Sequence, residues 1–122
     1  MPVSILIDTV RHRVEVTAGG ILTGEEMLTA QREIAQSPGF EPGFDALFDL
    51  AAVSSVKTIS AAEIRAVAHN TVFGPRVRRA FVTRNTTVYG MMRMLDAYLG
   101  DRGGEVGMFE DRATAERWLD RS

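Results

Sequence analysis

The residues with the chemistry to hold a ligand or accept a modification gather in two short stretches. The first, Ser54-Ser55-Val56-Lys57-Thr58, sets hydroxyls beside an amine. The second, Arg84-Asn85-Thr86-Thr87, puts a guanidinium, an amide and two hydroxyls just ahead of a helix-forming segment, whose first free amides favour negative charge. A phosphate, carboxylate or lipid headgroup suits that composition, and so does a capped loop with a surface arginine. Lys57, Thr58, Arg84, Asn85, Thr86 and the nearby Tyr89 form the candidate anion or ligand set, and Ser54 and Ser55 the candidate phosphorylation sites. An apolar set follows: Met91, Met94 and Tyr98, with Met92, could line an apolar ligand or a second subunit, because methionine adapts to irregular shapes; core packing accounts for the same residues.

Catalytic patterns are absent. Asp45 and Asp49 share a strand face but stand four residues apart, about 13 Å in extended chain and too far for a carboxylate dyad. His12 falls in a turn and His69 on a polar helix face, without spacing for a shared metal. Neither Gly-x-Ser-x-Gly nor a glycine-rich phosphate loop occurs. Asp49, at a strand end, is the single acid worth testing, with a loop-orienting hydrogen bond as its other role. The chain contains no cysteine, which removes disulfides, thiolate metal sites and cysteine nucleophiles. The reading is a non-enzymatic protein with no catalytic residue, metal or cofactor.

Composition bounds the class. At 122 residues, 45% hydrophobic and 25% charged, the chain fits one domain, residues 1–122, that buries roughly two-thirds of its unfolded surface. Its net charge of −2 hides an asymmetry: eight acids and three bases over residues 1–56, one acid and seven bases over 57–95, seven acids and four bases over 96–122. Arg76, Arg78 and Arg79 precede or begin a strand, so they belong to the opposite end of the sheet from Arg84. No single basic patch forms, no aromatics interleave with the bases, and nucleic-acid binding is not expected. No run approaches the ~20 apolar residues of a membrane span. Met1-Pro-Val-Ser-Ile5 lacks the basic start and apolar core of a signal peptide, so a cytoplasmic location is expected.

The positioning elements alternate. Ser4–Val10 and Arg13–Ala18 are β-branched and read as an antiparallel hairpin, released toward a helix by Gly19-Gly20. Thr23-Gly-Glu-Glu26 is a capping box, and Met27, Ala30 and Ile34 give its helix an apolar stripe that ends before Pro38. Asp45–Leu50 is a central strand, followed by a loop over Ala51–Ser60. Ser60-Ala-Ala-Glu63 repeats the capping box, and Ile64, Val67, Ala68, Thr71 and Val72 mark a helix stopped by Gly74-Pro75. Val77–Thr83 is the next strand, and Thr86 or Thr87 can cap a helix striped by Val88, Met91, Met92, Leu95 and Leu99. Val106–Phe109 is the last strand, and Asp111 caps a final helix with Ala115, Trp118 and Leu119 inward. The order β-β-α-β-α-β-α-β-α demands an α/β fold: a single mixed, mostly parallel sheet with an N-terminal antiparallel hairpin.

The succession Gly20-Ile-Leu-Thr-Gly-Glu-Glu26, Phe44-Asp-Ala-Leu-Phe-Asp-Leu50, Ser60-Ala-Ala-Glu-Ile64, Arg79-Ala-Phe-Val82, Val88-Tyr-Gly-Met-Met-Arg-Met94 and Val106-Gly-Met-Phe-Glu-Asp111, with Ala115 and Trp118-Leu119, resembles the SpoIIAA-like family of small bacterial proteins. That family belongs to the STAS group and is similar to the CRAL-TRIO lipid-binding fold; the likeness runs from about Ser4 to Leu119. The resemblance implies a regulatory module of the anti-sigma factor antagonist kind, with a regulatory kinase or an anti-sigma-like protein as partner and a phosphorylated serine after the central strand. Ser54 and Ser55 are nearest by position, although Leu-Ala-Ala follows Asp49 where antagonists carry an Asp-Ser-Ser-Gly type of motif. The lipid-binding likeness implies the alternative, a carrier or sensor of a small apolar or amphiphilic ligand. Homodimerisation through the Val88–Leu99 helix is compatible with either.

Overall fold

Strands that alternate with amphipathic helices can bury their apolar sides only by stacking helices on a shared sheet. The computed structural model, which describes residues 3–121, has this layout; the opening Met1-Pro2 of the segment examined for a signal peptide lies outside the described residues. The described residues form β1 (Val3–Asp8), β2 (Arg13–Ile21), α1 (Gly24–Gln36), β3 (Asp45–Ser55), α2 (Ala61–His69), β4 (Arg78–Val82), α3 (Thr86–Leu99), a 3-10 turn (Gly100–Gly103), β5 (Glu105–Phe109) and α4 (Arg112–Asp120). The strands lie side by side in chain order. Only β1 and β2 pair antiparallel; the other neighbours are parallel, and β3 is central.

That order decides where the helices go. Successive right-handed crossovers between adjacent strands put α1, α2 and α3 on one face. Val14, Val16 and Ala18 of β2, Ala46, Phe48 and Leu50 of β3 and Phe81 of β4 pack toward them. Leu47, Ala80 and Val82 face the other way, against Ala115 and Leu119 of α4. Both capping boxes form: Thr23 with Glu26, and Ser60 with Glu63. Gly104 links the 3-10 turn to β5 at φ 64°, where a Cβ would also run into the Val77 carbonyl.

Several boundaries differ from those read in the sequence. β1 stops at Asp8 instead of Val10, because the Asp8 carboxylate accepts from the amides of Val10 (3.0 Å) and Arg11 (2.9 Å) and turns the chain. Gly19-Gly20 does not end β2. The strand continues through two register shifts to Ile21, and its tail pairs with residues 52–55. The expected loop Ala51–Ser60 is therefore strand as far as Ser55. α2 ends at His69, short of Thr71 and Val72, where the Asn70 amide group caps the Ala66 carbonyl at 2.8 Å. Asn85, not Thr86 or Thr87, caps α3.

Candidate functional site

Parallel β3 and β4 end at the same pole, so the two polar stretches share a rim. The Asn85 side-chain amide donates to the Ser54 carbonyl at 3.5 Å. Ser54, Lys57, Thr58, Arg84, Thr86 and Tyr89 are exposed, and Ser55 and Asn85 half-buried. Neither the Lys57 amine nor the Arg84 guanidinium forms an ion pair among the described residues. Beside them a cleft of about 250 Å³ lies between Thr83–Thr86, Tyr89 and Met108–Glu110.

Local geometry changes what this rim can bind. Ser54 and Ser55 sit in strand, not at the head of a helix, and Ser55 Oγ accepts from the Lys57 amide at 3.3 Å. Ser60 occupies the α2 cap. At α3, Asn85 Oδ1 accepts from the amides of Thr87 (2.9 Å) and Val88 (3.2 Å), two of the donors that an incoming anion would use. Arg93 lies over the Tyr89 ring, 5.9 Å from its centroid, and donates to its hydroxyl at 3.1 Å. The rim is a polar, cationic surface rather than a phosphate cradle.

The apolar set separates. Met91 and Met92 are buried in the core, so they do not form a surface with Met94 and Tyr98. Met94 is exposed, and Tyr98 is half-buried beneath the Arg65 guanidinium, 5.2 Å from its ring centroid. The helix stripe read in the sequence belongs to the core because α3 crosses the centre of the sheet.

Of the two candidate acids, Asp49 is held in an ion pair, and Asp45 accepts from the Arg78 amide at 2.8 Å. Arg112 reaches Glu15 at 2.7 Å, Glu116 at 3.0 Å and Asp49 at 3.4 Å. Burial alone would lower the Arg112 pKa; Glu116, Glu15 and Asp49 outweigh it and hold it above its ordinary value. Asp49 also accepts from the Ala51 amide at 3.1 Å; Ala51 lies within β3, so the bond is local to the strand and not the loop-orienting one expected of Asp49. The Thr114 amide and hydroxyl hold the Asp111 carboxyl below its usual range, as expected of an N-cap. His69 is exposed, and His12 stacks on Phe44 at 5.1 Å. No group of three or more His, Asp or Glu side chains among the described residues is placed to hold a metal.

A second site was missed in the sequence. Arg79 is only 2% exposed. Its guanidinium donates to the Gly103 carbonyl and to Thr71 Oγ1 (3.0 Å), and lies 5.3 Å from the centroid of the Phe73 ring. Burial pushes its pKa below the ordinary value, against the opposing pull of Asp96. Arg79 borders an apolar cavity of about 90 Å³ between α1, α2, α3 and the sheet, whose wall also includes Gln31, Phe48, Phe73 and Met92. The signal was present: in a strand reading Arg78-Arg79-Ala80-Phe81-Val82, alternation forces one arginine onto the face of Phe81.

No protein-family model matches the sequence, and no curated protein matches it either. The structure is similar to an uncharacterised protein of the DUF3478 family from Shewanella loihica PV-4, described as having a SpoIIAA-like fold. The two share 22% identity over 96% of this chain and 91% of that one, with a TM-score of 0.60. No helix among the described residues is long and apolar enough to cross a membrane. Sheet order, helix placement and this likeness agree that the chain has a SpoIIAA-like fold.

Proposed function

We propose that this protein is a non-catalytic regulatory module that binds a partner protein through the rim at the ends of β3 and β4. The observation that carries the reading is the convergence of two polar stretches, bridged by Asn85 and Ser54, with the Lys57 and Arg84 cations in no ion pair among the described residues. Cations presented this way steer an acidic partner. A kinase or an anti-sigma-like protein is the natural partner of a STAS-like module. Phosphate on Ser54 would add about −1.5 to −2 charges to that rim and cancel the attraction of Lys57 and Arg84 for an acidic surface. The test is chemical cross-linking in the native host, comparing the wild type with Lys57→Glu/Arg84→Glu, and mass spectrometry of Ser54 and Ser55 after incubation with host kinases. A partner lost in the double variant supports the reading. Identical cross-linked products from both chains would remove the rim from it.

A second reading, a carrier or sensor of a small apolar or amphiphilic ligand, is favoured by the cavity beside Arg79. Its size limits the cargo: about 90 Å³ is well below the ~300 Å³ at which drug-sized ligand pockets begin. Long acyl chains need the helices to part. Native mass spectrometry of freshly purified protein tests this reading through co-purifying mass.

A further inference from the structure

We infer that the cavity under α1 and α2 is a binding site for a short 2-hydroxy acid, with Arg79 taking the carboxylate and Gln31 the hydroxyl. This inference rests on the ligand-binding reading of the cavity.

Three observations converge. Arg79 is a buried guanidinium with no carboxylate ion-paired to it among the described residues. A buried charge is ordinarily matched by an opposite one; the Asp96 carboxylate pulls on Arg79 without forming an ion pair with it, and Thr71 and the Gly103 carbonyl supply dipoles, not charge. Second, Gln31 Oε1 is buried and accepts from no donor among the described residues. Its orientation is set by the other end of the amide, which donates to the Val67 carbonyl at 2.8 Å. Flipping it would place a second acceptor against that carbonyl. Third, Gln31 and Arg79 border the same cavity and are anchored four residues apart on one segment, at Val67 and Thr71.

The missing complement is specific. Arg79 calls for an anion, and a carboxylate fits a guanidinium fork. Gln31 Oε1 calls for a donor, which an ionised carboxylate does not offer. A hydroxyl next to the carboxylate supplies both. Glu26 also borders the cavity, its carboxylate held by the Thr23 amide and hydroxyl, and the remaining wall, including Phe48, Phe73 and Met92, accepts only a short apolar tail. An engineered cavity of about 150 Å³ takes benzene, which has six non-hydrogen atoms, so about 90 Å³ admits no more than that number. Lactate, with six, stands at that upper limit.

The full chain is titrated calorimetrically with sodium lactate, propionate and octanoate, alongside the variants Gln31→Met and Ala30→Leu, folding being checked by circular dichroism. Ala30 borders the cavity, and leucine there fills it. Lactate is expected to bind at least about tenfold tighter than propionate, because the site's amide carbonyl is left unpaired by the acid without a hydroxyl. Gln31→Met erases that ratio, and Ala30→Leu abolishes binding of both. Should Ala30→Leu fail to fold, the Gln31→Met ratio decides alone. No lactate binding at about 10 mM, equal affinity for lactate and propionate, or binding untouched by Ala30→Leu overturns the inference. Octanoate binding that Ala30→Leu blocks, without lactate binding, overturns the hydroxy acid but keeps the carrier reading; no acid bound and no co-purifying mass ends both.

Discussion

At the pole where β4 begins, Arg13, Arg78 and Arg79 are tied into the structure, while Arg76 is exposed. Arg78 donates to Glu105 at 2.9 Å, to the Trp118 carbonyl at 2.8 Å and to the Arg121 carbonyl, and Arg13 meets Asp120 at 2.6 Å. Arg79 is sealed among Phe73, Thr71 and the Gly103 carbonyl. At the pole where β4 ends, Arg84 and Lys57 extend from loops into solvent without an ion pair among the described residues. One residue type fastens α4 and the 3-10 turn to the sheet at one end and is left available at the other. Charge count alone cannot separate those uses; partner geometry does.

The largest effect that could break this contrast is at Arg79. Arg79→Ala strands the Gly103 carbonyl and opens space beside Phe73, costing about 3 kcal/mol. Thermal unfolding should then fall by roughly 10 °C for a chain of this length. A variant as stable as the wild type would mean that the buried arginine is no fastener at all.

Arg112 gives a smaller, screened effect because its side chain is 36% exposed. Arg112→Ala should lose about 1 kcal/mol in dilute buffer. Most of that loss should vanish in denaturant titrations at about 1 M salt, where the Debye length is near 3 Å. A salt-independent loss would point to packing by the arginine stem instead of its three carboxylates.

The Asp111 cap sharpens the comparison through pH. Its folded pKa is depressed, so its stabilisation is present above the unfolded carboxyl's pKa and is lost as pH falls through the folded value. Asp111→Ala should therefore be less stable than the wild type at pH 7. The two should converge in acid as the wild-type carboxyl takes up its proton, which denaturation midpoints across that range will reveal.

The smallest stability effect belongs to the rim. Lys57→Glu/Arg84→Glu should change stability by under about 0.5 kcal/mol, since both side chains are exposed and neither is ion-paired among the described residues. The same variant should lose partner cross-linking. A large destabilisation would place these cations with the structural arginines of the opposite pole.

Much of the fold was legible because it depends on local pattern. Thr23-Gly-Glu-Glu26 and Ser60-Ala-Ala-Glu63 carry their own capping chemistry, and both form as read. The β3 extension was not legible. Ala51–Ser55 lacks a strong strand pattern and is extended because Gly19–Ile21 of β2 offers a partner; a ladder between segments some thirty residues apart leaves little trace in either alone. The Asn85 cap was overlooked for the neighbouring threonines, although asparagine is among the strongest N-cap residues.

By itself, the sequence determined the element order, the helix caps and the central place of Asp45–Leu50, since periodicity and capping act over a few residues. Tertiary structure decided that Met91 and Met92 belong to the core, that Asn85 takes the amides an anion would need, and that Arg79 and Gln31 border one cavity. Those outcomes depend on which faces and ends of separate elements meet. Such meetings are set by sheet order and crossover handedness, which no short stretch of residues encodes.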